Sequence, residues 1–190
     1  MAKTAMGTGK DNRIKLLDAA AAVIADKGMD RASLSEIARA SGLSKGTLYY
    51  YYASKNDLIF DMADRHMADL TTALFKMIEE NQTTSMEDLL FAFFSTLLAS
   101  KTRSRLHLYL VREAVSGHGD LKKRFQATYA RWFSMVDDVY EKMGRSKTNI
   151  PAKAAFLVAV ADGFILQTLL ETQQPDIQTI VRLMLRVIEE

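Results

Sequence analysis

Between Ser33 and Asp57 the sequence carries three helix-start signals in close succession. Ser33 and Glu36 form an S-x-x-E box, in which the serine oxygen takes a backbone N–H and the carboxylate returns to the serine's own N–H. Ser44 is a second N-cap, and Ser54 with Asp57 repeats the box. Gly42 stands where the first short segment must stop. The spacing predicts helices over 33–40 and 44–50 and a long one from Lys55 through Ile78. Helices of about seven residues do not hold alone in water, so the two short ones must pack on a neighbour. The segment 11–27 supplies it, with Ile14, Leu17, Ala21 and Ile24 on one stripe and Gly28 as its stop. A short helix, a tight glycine turn and a second short helix is the helix-turn-helix arrangement, whose second helix enters a DNA major groove.

Beyond residue 84 the apolar periodicity stays helical, with segments expected at 86–100, 104–115, 119–143, 151–171 and 175–188. Pro151 and Pro175 both stand where periodicity restarts, as a proline in a first helical turn does. The fold class is therefore all-α. A helix-turn-helix domain over 11–57 is joined by a continuous helix to a larger helical domain over 58–190. Residues 1–10 are small and polar and are expected to form a disordered arm, with a minor-groove role for Lys3 and Lys10 as the alternative.

The chain has no cysteine, which excludes disulfides and thiolate metal sites and fits a cytoplasmic location. His66, His107 and His118 show no ligand spacing, so neither a metal nor a cofactor is expected. No apolar run reaches the ~20 residues of a membrane span, and no membrane partner is expected. Residues 1–58 carry a net charge of +3 and the remainder −1, which permits a nucleic-acid partner for the first third.

The stretch "GTLYYYYASK" divides the tyrosines by helical geometry. Tyr51 and Tyr52 follow Leu48 at i+3 and i+4 and belong to the core face. Lys45, Gly46, Thr47, Tyr49 and Tyr50 are left on the outer face. A lysine, a bare backbone, a methyl-bearing hydroxyl and two rigid phenols suit a DNA groove, where they can meet phosphates and base edges. Four half-buried tyrosines around a small core are the plainer alternative. Lys55 sits in a first helical turn, where the dipole disfavours a cation; a docked phosphate accounts for it, and a solvated lysine is the alternative.

"SLSEIARASGLSKGTLYYYYASKNDL", residues 33–58, resembles the TetR family of bacterial transcriptional repressors. The family motif reads roughly T-x-x-x-I-A-x-x-A-G-V-S-x-G-T-L-Y-x-H/Y-F-x-S-K-E-x-L. Ile37, Ala38, Gly42, Ser44, Gly46, Thr47, Leu48, Tyr49, Ser54, Lys55 and Leu58 match it without a gap. The resemblance implies a homodimer on a double-stranded DNA operator, with an effector pocket among the middle helices and DNA release on ligand binding. By position it implies that Ser33, Ser35, Tyr49, Tyr50 and Lys55 bond phosphates and that Lys45, Gly46 and Thr47 approach bases. Ser44 is counted with this DNA-binding set. A ligand-independent DNA-binding protein, or an activator, is the alternative.

The segment "PAKAAFLVAVADGFILQTLLE" is apolar nearly all round, as a helix buried on several sides is. Ala155, Ala159, Gly163 and Leu166 there, with Leu183 and Val187 in the last helix, are the expected dimer interface. The expected effector is small and largely hydrophobic. Met62, Phe91, Phe94, His107 and Leu110 are candidates to line its pocket, as are Phe125, Tyr129, Trp132 and Phe133. Glu113, on one face with Leu106 and Leu110, could pair with a cationic ligand or with a neighbouring arginine. The sequence shows no nucleophile–base pair and no phosphate-cradling glycine loop, so no enzymatic activity is expected.

Overall fold

The computed structural model describes residues 4–81, 84–172 and 176–189, and all regular structure among them is helical. The helices are α1 (Thr4–Lys27), α2 (Leu34–Ala40), α3 (Lys45–Tyr51), α4 (Lys55–Glu80), α5 (Met86–Leu98), α6 (Lys101–Val115), α7 (Gly119–Lys142), α8 (Ile150–Leu169) and α9 (Ile177–Glu189). The chain divides into two compact units, residues 1–65 and 66–190. The division falls within α4, eight residues beyond the boundary expected at 57/58.

In the first unit Leu16, Leu17, Ala20 and Ile24 of α1, Ile37 and Ala38 of α2, Leu48 of α3, and Leu58 and Ile59 of α4 are buried side chains. The buried stripe of α1 is rotated slightly from the expected one, with Ala20 inside and Ala21 exposed. Each short helix is capped as its residues dictate. Ser33 accepts from the Glu36 amide at 3.3 Å while Glu36 accepts from the Ser33 amide at 3.2 Å. The turn between α2 and α3 runs through Gly42 at φ +70°, and the Leu43 amide reaches back to the Ala38 carbonyl at 3.1 Å. A left-handed residue closing a 6→1 bond is the Schellman stop, which glycine adopts without a Cβ clash.

α1 begins at Thr4, where an arm without structure was expected over 1–10. One tertiary bond reaches this segment: the Tyr51 hydroxyl donates to the Gly9 carbonyl at 3.1 Å. Lys3 and the Lys10 side chain, given an alternative minor-groove role, lie outside the described residues.

In the second unit α5, α7, α8 and α9 share one core. It includes Leu90, Phe94, Val136, Tyr140, Ala154, Leu157, Ala161, Val181, Met184 and Ile188. A smaller cluster joins Leu70 and Leu74 of α4 to Leu89 of α5. α6 starts at Lys101 rather than 104, because Ser100 accepts the Arg103 amide at 3.3 Å and caps it earlier. Pro151 stands in the first turn of α8, after Asn149 in the left-handed region at φ 56°. Pro175, expected to open the last helix, lies outside the described residues.

α8 corrects one expectation. By length and composition it is apolar enough to cross a membrane, although no such stretch was expected. Its packing shows what the apolar character serves. Ala154, Leu157, Ala161 and Ile165 enter the protein core, Lys153 lies over the Tyr140 ring at 5.5 Å, and Asp162 accepts bonds from neighbouring helices.

Candidate nucleic-acid interface and regulatory cluster

α3 is held from beneath and left bare above. Leu48 is fully buried, and the hydroxyl of buried Tyr52 donates to Asp61 of α4 at 2.6 Å. Asp61 also accepts from the Arg13 guanidinium of α1, with Nε at 2.8 Å. Burial and the Asp61 bond push the Tyr52 phenol well above its ordinary range, so it stays a donor. One carboxylate thus ties the end of α3 to α1 and α4. At the start of α3, Ser44 accepts from the Thr47 amide at 3.0 Å and its hydroxyl meets the Thr47 hydroxyl at 2.9 Å.

The opposite face of α3 is open. Tyr49 is 54% and Tyr50 83% exposed, and Lys45 and Gly46 are exposed beside them. Thr47 is half-buried. Tyr50 sits edge-on to Tyr51 at 5.1 Å between centroids, which limits its swing. Exposed aromatic rings cost hydrophobic free energy that the protein does not recover by itself. Ser33 and Ser35 are exposed on α2 and at its cap. Bonds from Lys27 and Ser33 hold the Glu36 carboxyl down at about 2, so this capping box is ionised and intact at neutral pH.

Lys55 has a partner that the sequence did not reveal. Its amine donates to the Met29 carbonyl at 2.8 Å and lies 3.4 Å from that of Asp30. Those carbonyls follow α1, so a cation in the first turn of α4 is accounted for by bracing this turn. Nothing in the local sequence ties residue 55 to residues 29 and 30.

In the second unit, four of the candidate pocket residues come together. His107 of α6 and Phe125, Tyr129 and Trp132 of α7 have neighbouring ring centroids 4.7–6.2 Å apart. Two of them meet Asp162 of α8, which sequence reasoning missed. His107 Nε2 lies 3.2 Å from its Oδ1, and the Tyr129 hydroxyl donates to its Oδ2 at 2.5 Å. Burial and this bond raise the Tyr129 phenol well above its ordinary range. A signal was available, since Asp162 is the one charged residue between Ala154 and Leu170.

The other candidates fall elsewhere. Phe94 and Leu110 are core side chains, whereas Phe91 and Phe133 are partly exposed. Met62 is buried and belongs to the first unit. Glu113 takes the neighbouring-arginine alternative: Arg112 donates to it at 3.0 Å, and His118 Nδ1 lies 3.7 Å away. Of the expected interface residues, Ala155, Ala159, Leu166, Leu183 and Val187 are exposed and Gly163 is half-buried. Among the described residues, no cluster of His, Asp or Glu has the grouping of a metal site.

Comparison with known proteins agrees with these two units. The family described as "Bacterial regulatory proteins, tetR family" matches residues 16–62, and "BetI-type transcriptional repressor, C-terminal" matches residues 83–190. The regulator YvdT of Bacillus subtilis is 48% identical over 50 residues, a stretch that spans only 26% of each chain. EthR of Mycobacterium tuberculosis is 23% identical over 154 residues, covering 79% of this chain and 71% of that protein. Among solved structures, a TetR-family regulator from Mesorhizobium loti superposes with a TM-score of 0.73 at 15% identity, covering 94% and 97% of the two chains. A regulator from Saccharomonospora viridis in complex with choline superposes at 0.65 and 18% identity, covering 95% and 97%. At such identities the structures speak for the fold. The family matches and the sequence relatives are transcriptional regulators rather than enzymes. The chain belongs to the TetR family of bacterial transcriptional regulators.

Proposed function

We propose that the protein is a cytoplasmic, ligand-responsive repressor that binds a near-palindromic operator as a homodimer and leaves it when a small effector binds the second unit. One observation carries the DNA half of this reading: α3 exposes Lys45, Gly46, Tyr49 and Tyr50 while Leu48 and Tyr52 anchor it from below. A helix so anchored presents its outer face with little freedom to lose on docking. Lys45 and Thr47 approach bases, and Tyr49 and Tyr50 bond phosphates with Ser33 and Ser35 beside them. Ser44 sets the start of the helix, and Lys55 holds the turn after α1, with its phosphate role secondary. The family description of the second unit as that of a repressor favours repression over activation.

The dimer is proposed on the outward faces of α8 and α9. Ala155, Ala159 and Leu166 form one stripe of α8 by helical spacing, continued by Leu170 at its C-cap and flanked by half-buried Gly163, and Leu183 and Val187 form another on α9. A twofold pair presents its recognition helices about one DNA turn, ~34 Å, apart or at a related spacing.

Release is proposed to run through α4. Its second half packs Leu70 and Leu74 against Leu89, and its Thr71 hydroxyl donates to the Met135 sulfur of α7 at 3.2 Å. Its first half carries Asp61, the acceptor of the Tyr52 hydroxyl at the end of α3. A ligand that prefers one position of α4 in the second unit therefore biases the footing of α3 in the first. It shifts the equilibrium by its differential affinity for the two states and no more.

The test is operator binding by fluorescence anisotropy across a salt series. Lys45→Ala should weaken operator binding by about 1–3 kcal/mol, relax specificity at the base it approaches and flatten the salt slope. Tyr49→Phe and Tyr50→Phe should each lose a phosphate bond without disturbing the fold. Unchanged affinity and slope in the triple variant would rule out α3 as the DNA-reading helix.

A further inference from the structure

Four consecutive tyrosines, Tyr49 to Tyr52, close α3, and Tyr51 stands between the exposed pair's last ring and the anchored Tyr52. Its ring is half-buried, and its hydroxyl donates to the Gly9 carbonyl of α1 at 3.1 Å. A carbonyl has two lone pairs, so Gly9 accepts this bond while keeping its place in the helix. Arg13 lies four residues on, on the same face of α1. Its guanidinium bonds Asp61, with Nε at 2.8 Å, and Asp61 accepts the Tyr52 hydroxyl at 2.6 Å. One turn of α1 therefore holds both inward tyrosines, Tyr51 directly and Tyr52 through a carboxylate.

Tyr51 also touches the ring before it. Tyr50 meets it edge-on, with centroids 5.1 Å apart and planes at 89°, and the Tyr52 ring stands 6.4 Å from it. Tyr50 is 83% exposed on the open face of α3. A free phenol at such a position loses rotamer freedom when its hydroxyl is fixed on a partner, and a braced one loses less. Packing alone requires only the Tyr51 ring. The hydroxyl adds a fixed pose for that ring against α1.

We infer that Tyr51 is a positioning residue for operator binding: anchored on Gly9, it holds the Tyr50 ring in the pose from which the Tyr50 hydroxyl meets a phosphate. Tyr51 itself contacts no DNA, because its hydroxyl is engaged on α1. The early turns of α1 thus serve DNA reading through a backbone carbonyl rather than through their side chains. This rests on the reading of α3 as the DNA-binding helix.

The probe is the duplex that the unaltered full-length protein enriches from a randomised pool, with binding read by fluorescence anisotropy. Tyr51→Phe keeps the ring and removes the hydroxyl. It should weaken binding by about threefold to tenfold, the equivalent of one net hydrogen bond, with an unchanged circular dichroism spectrum. A merely structural role would lower the urea midpoint and leave the affinity of the folded protein alone. Tyr50→Phe removes the hydroxyl that Tyr51 positions, so in that background Tyr51→Phe should weaken binding by less than about twofold. Deleting residues 1–10 removes the acceptor, and should weaken binding as Tyr51→Phe does without adding to it.

Unchanged affinity in a folded Tyr51→Phe variant overturns the inference and leaves α3 as the DNA-binding helix. So does full additivity of Tyr51→Phe with Tyr50→Phe. A deletion that adds to Tyr51→Phe and flattens the salt slope also overturns it, since the lost lysines, Lys3 and Lys10, would then be meeting phosphates directly. If the unaltered protein enriches no duplex, the DNA reading of α3 fails, and the inference with it.

Discussion

Leu183→Glu addresses the outward faces of α8 and α9. In a single protomer Leu166 is 44% exposed, Leu170 65%, Leu183 51% and Val187 55%, so about half of each side chain has yet to leave water. Full burial of such a side chain is worth about 1.5–3 kcal/mol, which leaves roughly 0.75–1.5 kcal/mol at each position. Four positions on each of two protomers give about 6–12 kcal/mol, with the exposed alanines of α8 adding to it. Association costs about 4–15 kcal/mol in lost freedom, a range that overlaps this gain, so the proposed dimer is sensitive to each of these positions. Leu183→Glu removes one of these contributions twice and places two carboxylates against apolar surface, each worth a few kcal/mol of desolvation. The dimer dissociation constant should rise by about three decades or more, since about 4 kcal/mol corresponds to a thousandfold. Sedimentation equilibrium measures it directly, and circular dichroism should show an unchanged helix content because the residue is exposed in the protomer. Operator affinity should fall in step at protein concentrations below the new dissociation constant. An unaltered dimer constant in a folded variant would show that this face is not the seam and would refute the reasoning.

Tyr52→Phe removes the bond to Asp61 while leaving Arg13 as its partner. It should lower stability by about 1–2 kcal/mol in urea unfolding and weaken operator binding although the residue is buried. Gly42→Ala should cost about 1–2 kcal/mol, because φ +70° strains any L side chain even though a Cβ there meets nothing within 4 Å. Glu36 has its carboxyl lowered from the ordinary 4.5 to about 2, so its contribution is complete above about 4.5 and is lost as pH falls towards 2. Asp88, Glu171 and Asp176 are lowered too and act in the same direction. Glu36→Gln should therefore flatten the acid limb of a stability–pH profile measured by urea midpoints, and an unchanged limb would contradict the assignment.

The sequence by itself determined what is local in this protein. Serine caps and glycine stops act within one turn, so Ser33, Gly42, Ser44 and Ser54 marked the ends of α2, α3 and α4. A helical repeat of 3.6 residues then sorted the four tyrosines into two anchored and two exposed. The same repeat located the helices of the second unit to within a few residues, because periodicity is written along the chain.

Only the tertiary structure decided what depends on residues far apart in sequence. The tie on α1 at Gly9 depends on Tyr51, the bracing by Lys55 on the carbonyls of Met29 and Asp30, and the footing of α3 on Arg13 and Asp61. The largest gap was Asp162, one carboxylate among apolar residues until α6 and α7 bring His107, Phe125, Tyr129 and Trp132 around it. A hydrogen bond between side chains dozens of residues apart leaves no periodicity to read. Its existence is set by how helices pack, and packing is a property of the whole chain.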